Sequence, residues 1–116
     1  MTPIEQTILS NGDTHGDCVR ACTASMLNMS IENVPNFIIF DKWYKKWINF
    51  LYKHDIKLKK IPFKNNIPTF KNYYFVSGNT CRKTHHMVIM KDGKIVHDPH
   101  PSKNGIIDIC HIWEIE

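Results

Sequence analysis

The stretch HHMVIMKDGKIVHDP, from His85 to Pro99, indicates the type of fold because two runs of β-forming residues flank Asp92-Gly93. An Asp-Gly pair between such runs is a strong signal for a β-hairpin, here with strands over 87–90 and 94–97. The same period of two recurs outside the hairpin, at 56–61, 73–76 and 107–115. The second half of the chain is therefore predicted to consist of strands.

The first half of the chain has the pattern of helices instead. Residues 18–29 (CVRACTASMLNM) place apolar and small side chains along one helical stripe, and Asp17 is a candidate cap for the first turn. A shorter helical turn begins at Ser30, and an amphipathic helix covers 41–55 with Asp41 as its candidate cap. Helices followed by strands indicate an α+β fold, in which the N-terminal helices pack on a C-terminal antiparallel sheet.

Length, composition and charge exclude several classes of protein. The chain has 116 residues, of which 42% are hydrophobic, as expected for a single domain over residues 1–116. It lacks an apolar run of the roughly 18 residues that cross a bilayer, and its N-terminus, MTPIEQTILSNGD, does not resemble an export signal. We therefore expect a cytoplasmic protein without a membrane partner. The net charge of +4 comes mostly from scattered lysines, so a nucleic-acid partner is not expected.

Two registers are open to the hairpin, and they differ in where they place two polar side chains. A two-residue turn at Asp92-Gly93 pairs residue 91 with 94 and sends His86 and Asp98 to opposite faces. A three-residue turn with a glycine bulge pairs 90 with 94, so that His86 lies directly opposite Asp98. Hydrophobicity does not choose between them because both faces are mixed. The second register is preferred because it lets the carboxylate orient the imidazole, as in a catalytic triad.

Cys18 stands at the predicted start of the first helix. There the helix dipole and the unpaired backbone amides favour a thiolate over a thiol. Because the chain lacks an export signal, all four cysteines are expected to be thiols rather than disulfides. Cys22, Cys81 and Cys110 are interpreted as unreactive core residues.

At these residues the sequence resembles the papain-like cysteine peptidase superfamily. The likeness is greatest to its small C39-like branch, which includes compact proteins encoded by bacteria and their phages. Three features carry the resemblance: Gln6 ahead of Gly16-Asp17-Cys18, His86 opening the strand HMVI, and Asp98-Pro99 at the end of the next strand. The resemblance implies a papain-like fold and, for a phage protein, a location in the host cytoplasm.

The resemblance also implies a chemical role for each of these residues. Cys18 would be the nucleophile, His86 the general base and Asp98 the residue that orients the imidazole. Gln6 and the Cys18 amide would form the oxyanion hole, for which the loop from Thr7 to Asp17 must fold back. The implied activity is that of a cysteine-dependent hydrolase of the peptidase or amidase type, acting on a peptide or protein through an acyl-enzyme thioester and without a metal or cofactor. Acyl transfer shares these steps.

Two alternatives from other classes remain open. One is a zinc site, for which six of the chain's cysteines and histidines are candidate ligands, but they lack the paired C-x-x-C spacing of such a site; they are Cys18, Cys22, Cys110, His111, His97 and His100. The other alternative keeps the papain-like fold without catalysis, as a module that binds a host protein. His15 and His100 are candidates to line the cleft, His85 is expected at a surface or edge, and the oligomeric state is not defined by the sequence.

Overall fold

The structure, a computed structural model, describes residues 1–10 and 16–116. In this part of the chain, two α-helices precede five β-strands: α1 Cys18–Leu27, α2 Trp43–Lys53, β1 Leu58–Ile61, β2 Tyr74–Asn79, β3 His85–Lys91, β4 Lys94–His97 and β5 Asp108–Ile115. Two 3₁₀ turns, Ile31–Asn33 and Phe37–Ile39, lie between the helices. Neither α-helix is long and apolar enough to span a membrane. The predicted α+β class, with helices before strands, is confirmed.

The five strands form one antiparallel sheet in the order β1-β5-β2-β3-β4. Strands β2, β3 and β4 are neighbours both in sequence and in the sheet, which makes β4 an edge strand. Helix α1 packs against β3, and the Cys22 thiol contacts the Met87 carbonyl at 3.4 Å. This packing brings the helix that begins at Cys18 against the strand that carries His86.

The main core lies between the helices and the sheet, and Trp47 of α2 occupies its centre. The Trp47 ring is fully buried and makes edge contacts with Phe75 at 5.4 Å and Trp113 at 5.2 Å. Its indole N–H donates to Thr23 Oγ1 of α1 at 2.9 Å, so one residue links both helices and the sheet. The amphipathic character predicted for α2 is confirmed, because Trp47 and Leu51 are buried on one side of the helix. Alternate strand residues form a smaller cluster on the opposite face of the sheet; they include Tyr74, Val76, Val88, Met90 and Ile112.

Both predicted helix caps are wrong in detail. Asp17 does occupy the N-cap position of α1, but its carboxylate makes no capping hydrogen bond. Asp41 does not cap α2, because the N-cap residue is Lys42, which has left-handed backbone angles (φ 54°). Helix α2 therefore begins at Trp43 and ends at Lys53, which is shorter at both ends than the predicted range of 41–55.

The hairpin between β3 and β4 combines features of the two predicted registers. Asp92 and Gly93 both have positive φ (53° and 78°), as in a two-residue type I′ turn, and Lys91 pairs with Lys94. The preferred three-residue turn, with 90 opposite 94 and 86 opposite 98, is therefore wrong. However, the register shifts by one residue between Ile89 and Met90, so that 90 pairs with 95 while 89 pairs with 97. This bulge in β4 returns Asp98 to the side of the ribbon that His86 occupies.

Candidate active site

Three side chains that are far apart in the sequence meet where α1 begins. Cys18 is the first residue of α1 and is only 7% exposed. His86 Nε2 lies 2.7 Å from Asp98 Oδ1, and both side chains are buried. Cys18 lies beside His86, and the two residues line the same cavities. Because Asp98 occupies Nε2, Nδ1 is the ring nitrogen that remains for the thiol.

The charges of His86 and Asp98 follow from this pairing. Burial alone would lower the pKa of His86, but its hydrogen bond to Asp98 and the nearby Cys18 outweigh burial and raise that pKa to about 9. Burial likewise opposes ionisation of Asp98, yet its hydrogen bonds with His86, His100 and Gly105 lower its pKa to about 2. At neutral pH the pair is therefore an aspartate and an imidazolium.

Asp98 is held in place by the loop that follows it. The His100 amide donates to Oδ1 at 2.9 Å and the Gly105 amide donates to Oδ2 at 2.8 Å. Gly105 has a φ of 69°, and a Cβ there would lie 2.8 Å from Ile95 Cδ1. The left-handed backbone conformation favours glycine at this position, whereas the flexible Ile95 side chain has room to move. With both oxygens hydrogen-bonded, the carboxylate has one fixed orientation toward His86.

The segment that contains Gln6 folds back toward Cys18, as the predicted site requires. The buried Asp17 carboxylate accepts hydrogen bonds from the amides of Thr7 and Ile8, both at 2.9 Å, and from the Thr7 hydroxyl at 2.6 Å. The Asp17 amide donates in turn to the Ile8 carbonyl at 3.1 Å. Asp17 therefore acts as the anchor of this segment, a role that the sequence did not indicate.

Gln6 is buried and lines the same cavity as Cys18, His86 and His100, a space of about 360 Å³. Its Nε2 donates to the Ile8 carbonyl at 2.8 Å, and its Oε1 is buried without a hydrogen-bond partner among the described residues. A Cβ on Gly16 would lie 2.8 Å from Gln6 Nε2. Glycine at position 16 therefore lets the side-chain amide of Gln6 approach the start of α1.

A second set of contacts joins the N-terminal segment to the loop after β4. The backbone N–H of Gln6 donates to the Pro99 carbonyl at 3.0 Å, and His97 Nε2 lies 2.7 Å from the Ile4 carbonyl. Lys103 Nζ lies 2.5 Å from Glu5 Oε1 and 2.6 Å from the Asp98 carbonyl. These bonds fix the position of Gln6 relative to Asp98. Sequence analysis considered His97 only as a candidate zinc ligand and did not consider Lys103, because their partners Ile4 and Glu5 lie more than ninety residues away.

The other three cysteines do not take part in the hydrogen-bonded pair of His86 and Asp98. Cys22 is fully buried, and burial, followed by the nearby Cys18 and Asp98, raises the pKa of its thiol. Cys81 and Cys110 are exposed, so their predicted place in the core is wrong. Within residues 1–10 and 16–116, no three residues of metal-ligand type lie together. His15, a candidate cleft residue, lies outside the described residues, whereas the His100 ring lies 6.0 Å from that of His86.

Replacing Asp17 with alanine is expected to destabilise the protein because two backbone amides and one hydroxyl lose their buried acceptor. We expect the free energy of unfolding to fall by about 2–4 kcal/mol, measured by urea denaturation at pH 7. The control is Asp41→Ala, which removes an exposed carboxylate and should change stability by less than about 0.5 kcal/mol. Equal stability of the two variants would show that Asp17 does not anchor the segment.

Comparison of the chain with protein-family models, with curated proteins and with solved structures gives no match. The functional assignment therefore depends on the geometry of Cys18, His86, Asp98 and Gln6.

Proposed function

We propose that the protein is a cysteine-dependent hydrolase of papain-like design, acting on a peptide or another amide through a thioester intermediate. The observation that carries the proposal is the hydrogen-bonded pair of His86 and Asp98, with Cys18 beside His86 on the wall of the same two cavities. A nucleophile, a base within hydrogen-bonding reach and a third group that orients the base together form the arrangement required for nucleophilic catalysis. The order of the three residues along the chain also matches the resemblance to papain-like peptidases.

In the proposed mechanism, Cys18 and His86 react as a thiolate and an imidazolium. The sulfur attacks the substrate carbonyl carbon, and the carbonyl electron pair moves onto oxygen. When the tetrahedral intermediate collapses, the bond to the amine breaks and His86 gives its proton to that amine. Water then attacks the thioester, and His86, now neutral, takes the proton of the water. The acid leaves and Cys18 regains its starting state.

Asp98 and Gln6 support this reaction in different ways. Asp98 accepts from His86 Nε2, which fixes the ring plane and stabilises the imidazolium. Gln6 uses one Nε2 proton on the Ile8 carbonyl, which leaves the second proton available to an oxyanion. The backbone N–H of Cys18 belongs to the first turn of α1, where amides have no intrahelical acceptor. Together these donors would form the oxyanion hole.

The proposal predicts that p-nitrophenyl acetate acetylates Cys18 in a rapid burst. Each chain should release one equivalent of nitrophenolate, followed by slower steady release as water cleaves the thioester. Intact-mass and peptide-mass spectrometry should place the single acetyl group on Cys18. The variant Cys18→Ser should lose the burst, whereas Cys110→Ser, which alters an exposed thiol outside the site, should retain it.

Acetylation spread over several cysteines and lysines, at the rate of simple thiols and amines, would contradict the proposal. Such a result, together with full biological effect of Cys18→Ser, would favour the alternative in which the fold serves as a binding module.

A further inference from the structure

Two cavities of different character meet at Cys18 and His86, and both residues line each of them. The larger has a volume of about 630 Å³, and the smaller is the cavity of about 360 Å³ that includes Gln6. Pockets of this size accommodate small ligands or individual side chains of a peptide. A substrate that places its reactive carbonyl at Cys18 would therefore contact both.

The larger cavity has an aromatic wall that is held in place by packing and hydrogen bonds. Trp43 and Tyr44 come from the start of α2, and Trp113 comes from β5. Trp113 Nε1 donates to the Tyr44 hydroxyl at 2.8 Å, and the two rings lie 6.0 Å apart. The remaining apolar lining is aliphatic or thioether; it consists of Val19, Ile38 and Met87. A rigid wall of this kind favours a bulky apolar group.

The polar side chains of the larger cavity do not make it anionic. Removal from solvent, and then the nearby His111 and His86, lower the pKa of His85. Removal from solvent and Lys60 lower the pKa of His111, so both imidazoles are neutral at pH 7. Among the described residues, this cavity is lined by no carboxylate. Its charged groups are Lys60, Lys83 and the His86 imidazolium, and the last two also line the smaller cavity.

The smaller cavity is cationic. Arg82 and Lys83 lie on its wall, together with His100. Arg82 Nη1 donates to Ser102 Oγ at 3.0 Å, and Ser102 is bonded to the His100 ring, so the guanidinium has a defined position. No described carboxylate lines this cavity either. The carboxylates of Asp98 and Glu5 are already paired, with His86 and Lys103 respectively.

We propose that the substrate combines a large apolar or aromatic group, bound between Trp43, Tyr44 and Trp113, with an anionic group bound near Arg82 and Lys83. This inference rests on the proposed function, because it places the substrate at Cys18. A peptide segment with an aromatic and an acidic residue flanking the cleaved bond has the required chemistry. A cationic group would meet Arg82 or Lys83 in one cavity and Lys60 in the other.

The test uses alkylating reagents that differ only in size and charge. Iodoacetamide is small and neutral, iodoacetate is anionic, and N-benzyliodoacetamide is neutral and aromatic. Each is attacked by the Cys18 sulfur with loss of iodide, and each rate is divided by that of the same reagent with 2-mercaptoethanol. Relative to iodoacetamide, we expect the normalised Cys18 rate to be about 10-fold higher for the aromatic reagent. For iodoacetate we expect about 5-fold at low salt, falling toward one at 1 M salt.

Variants on each cavity assign these preferences to the proposed residues. Trp43→Ala removes part of the aromatic wall of the larger cavity, and Ile38→Trp places a bulky side chain in that cavity. Each should remove the preference for the benzyl reagent. Tyr52→Ala, on an exposed part of the same helix, is the matched control. Arg82→Ala and Lys83→Ala should each reduce the preference for iodoacetate. Lys94→Ala, at the far tip of the β3–β4 hairpin and in neither cavity, should retain it.

The outcomes separate this inference from the proposed function. Rapid alkylation of Cys18 at equal normalised rates by all three reagents would overturn the substrate class and leave the hydrolase proposal standing. Preferences that persist in the Trp43, Ile38, Arg82 and Lys83 variants would also overturn it. Slow reaction of Cys18 with every reagent, no faster than that of Cys110, would overturn both.

Discussion

Replacing His86 with alanine is expected to lower the turnover of p-nitrophenyl acetate by about 10³-fold near pH 7, within the usual range for a general acid–base. In the proposed mechanism, His86 stabilises the Cys18 thiolate and later activates the water that cleaves the thioester, so both half-reactions lose a partner. The rates of the nitrophenolate burst and of the steady phase measure these losses separately. Both should fall in His86→Ala.

The pH dependence of alkylation by iodoacetamide gives a second measurement that does not require turnover. The pKa of His86 is raised to about 9, so the imidazolium is present beside Cys18 at pH 6. In His86→Ala the Cys18 thiol lacks the cationic partner that the proposed mechanism requires. We expect the variant to react about 10-fold more slowly than the wild type at pH 6 and at a similar rate above pH 9.

His54→Ala is the control for these measurements. It removes an exposed histidine at the end of α2, whose Nδ1 lies 2.9 Å from the Phe50 carbonyl and which lines neither cavity. It should leave the alkylation profile of Cys18 close to that of the wild type. If His54→Ala were as slow as His86→Ala, or if neither variant differed from the wild type at pH 6, His86 would not be the base.

The helices and strands were predictable from the sequence because local patterns define them. The switch from a helical period to a period of two falls between α2 and β1, where the structure places it. Trp47 and Leu51 are fully buried, in agreement with the amphipathic pattern of α2. Periodicity thus indicated both the α+β class and the helix that begins at Cys18.

The register of the β3–β4 hairpin was not predictable because β4 is an edge strand with little burial. Lys94, Ile95 and Val96 are all exposed, so no alternation of apolar side chains opposes a shift by one residue. The prediction reached contact between His86 and Asp98 by assuming a bulge in the turn. The chain reaches the same contact by a bulge farther along β4.

The supports of the candidate site were harder to predict than its central residues. Asp17 was expected to cap α1, since capping is the commonest role for an aspartate before a helix. The Asp17 carboxylate instead accepts hydrogen bonds from the backbone amides of Thr7 and Ile8. These residues belong to a segment whose path depends on tertiary contacts. Lys103 is similarly defined by its distant partner Glu5, and no short motif indicates such pairs.

Replacing Asp98 with alanine should have the largest effect on stability of any single change in the site. It removes the acceptor of the imidazolium and of two backbone amides in a buried region. Unpaired donors in such places cost about 1–3 kcal/mol each, so we expect the free energy of unfolding to fall by about 3 kcal/mol or more. Urea denaturation at pH 6 measures this loss. Asp98→Asn, which keeps one acceptor oxygen but loses the charge, should be intermediate.

The pH dependence of stability follows from the direction of the two pKa shifts. The pKa of Asp98 is lowered from 3.8 to about 2, so its contribution is complete above pH 4 and is lost as the pH falls through 2. The pKa of His86 is raised from 6.5 to about 9, so its contribution is complete below pH 6.5 and is lost as the pH rises through 9. The shared ion pair therefore stabilises the fold most between about pH 4 and pH 6.5, by about 3 kcal/mol.

Asp98→Ala and Asp98→Asn should lack most of this pH dependence of stability, because neither variant contains the ion pair. Their free energy of unfolding should change less than that of the wild type between pH 6.5 and 9, and the difference from the wild type should narrow toward pH 9. If Asp98→Asn instead retained the wild-type loss of stability over that interval, the raised pKa of His86 would arise from Cys18 alone. The carboxylate would then position the loop through the amides of His100 and Gly105 without stabilising the imidazolium.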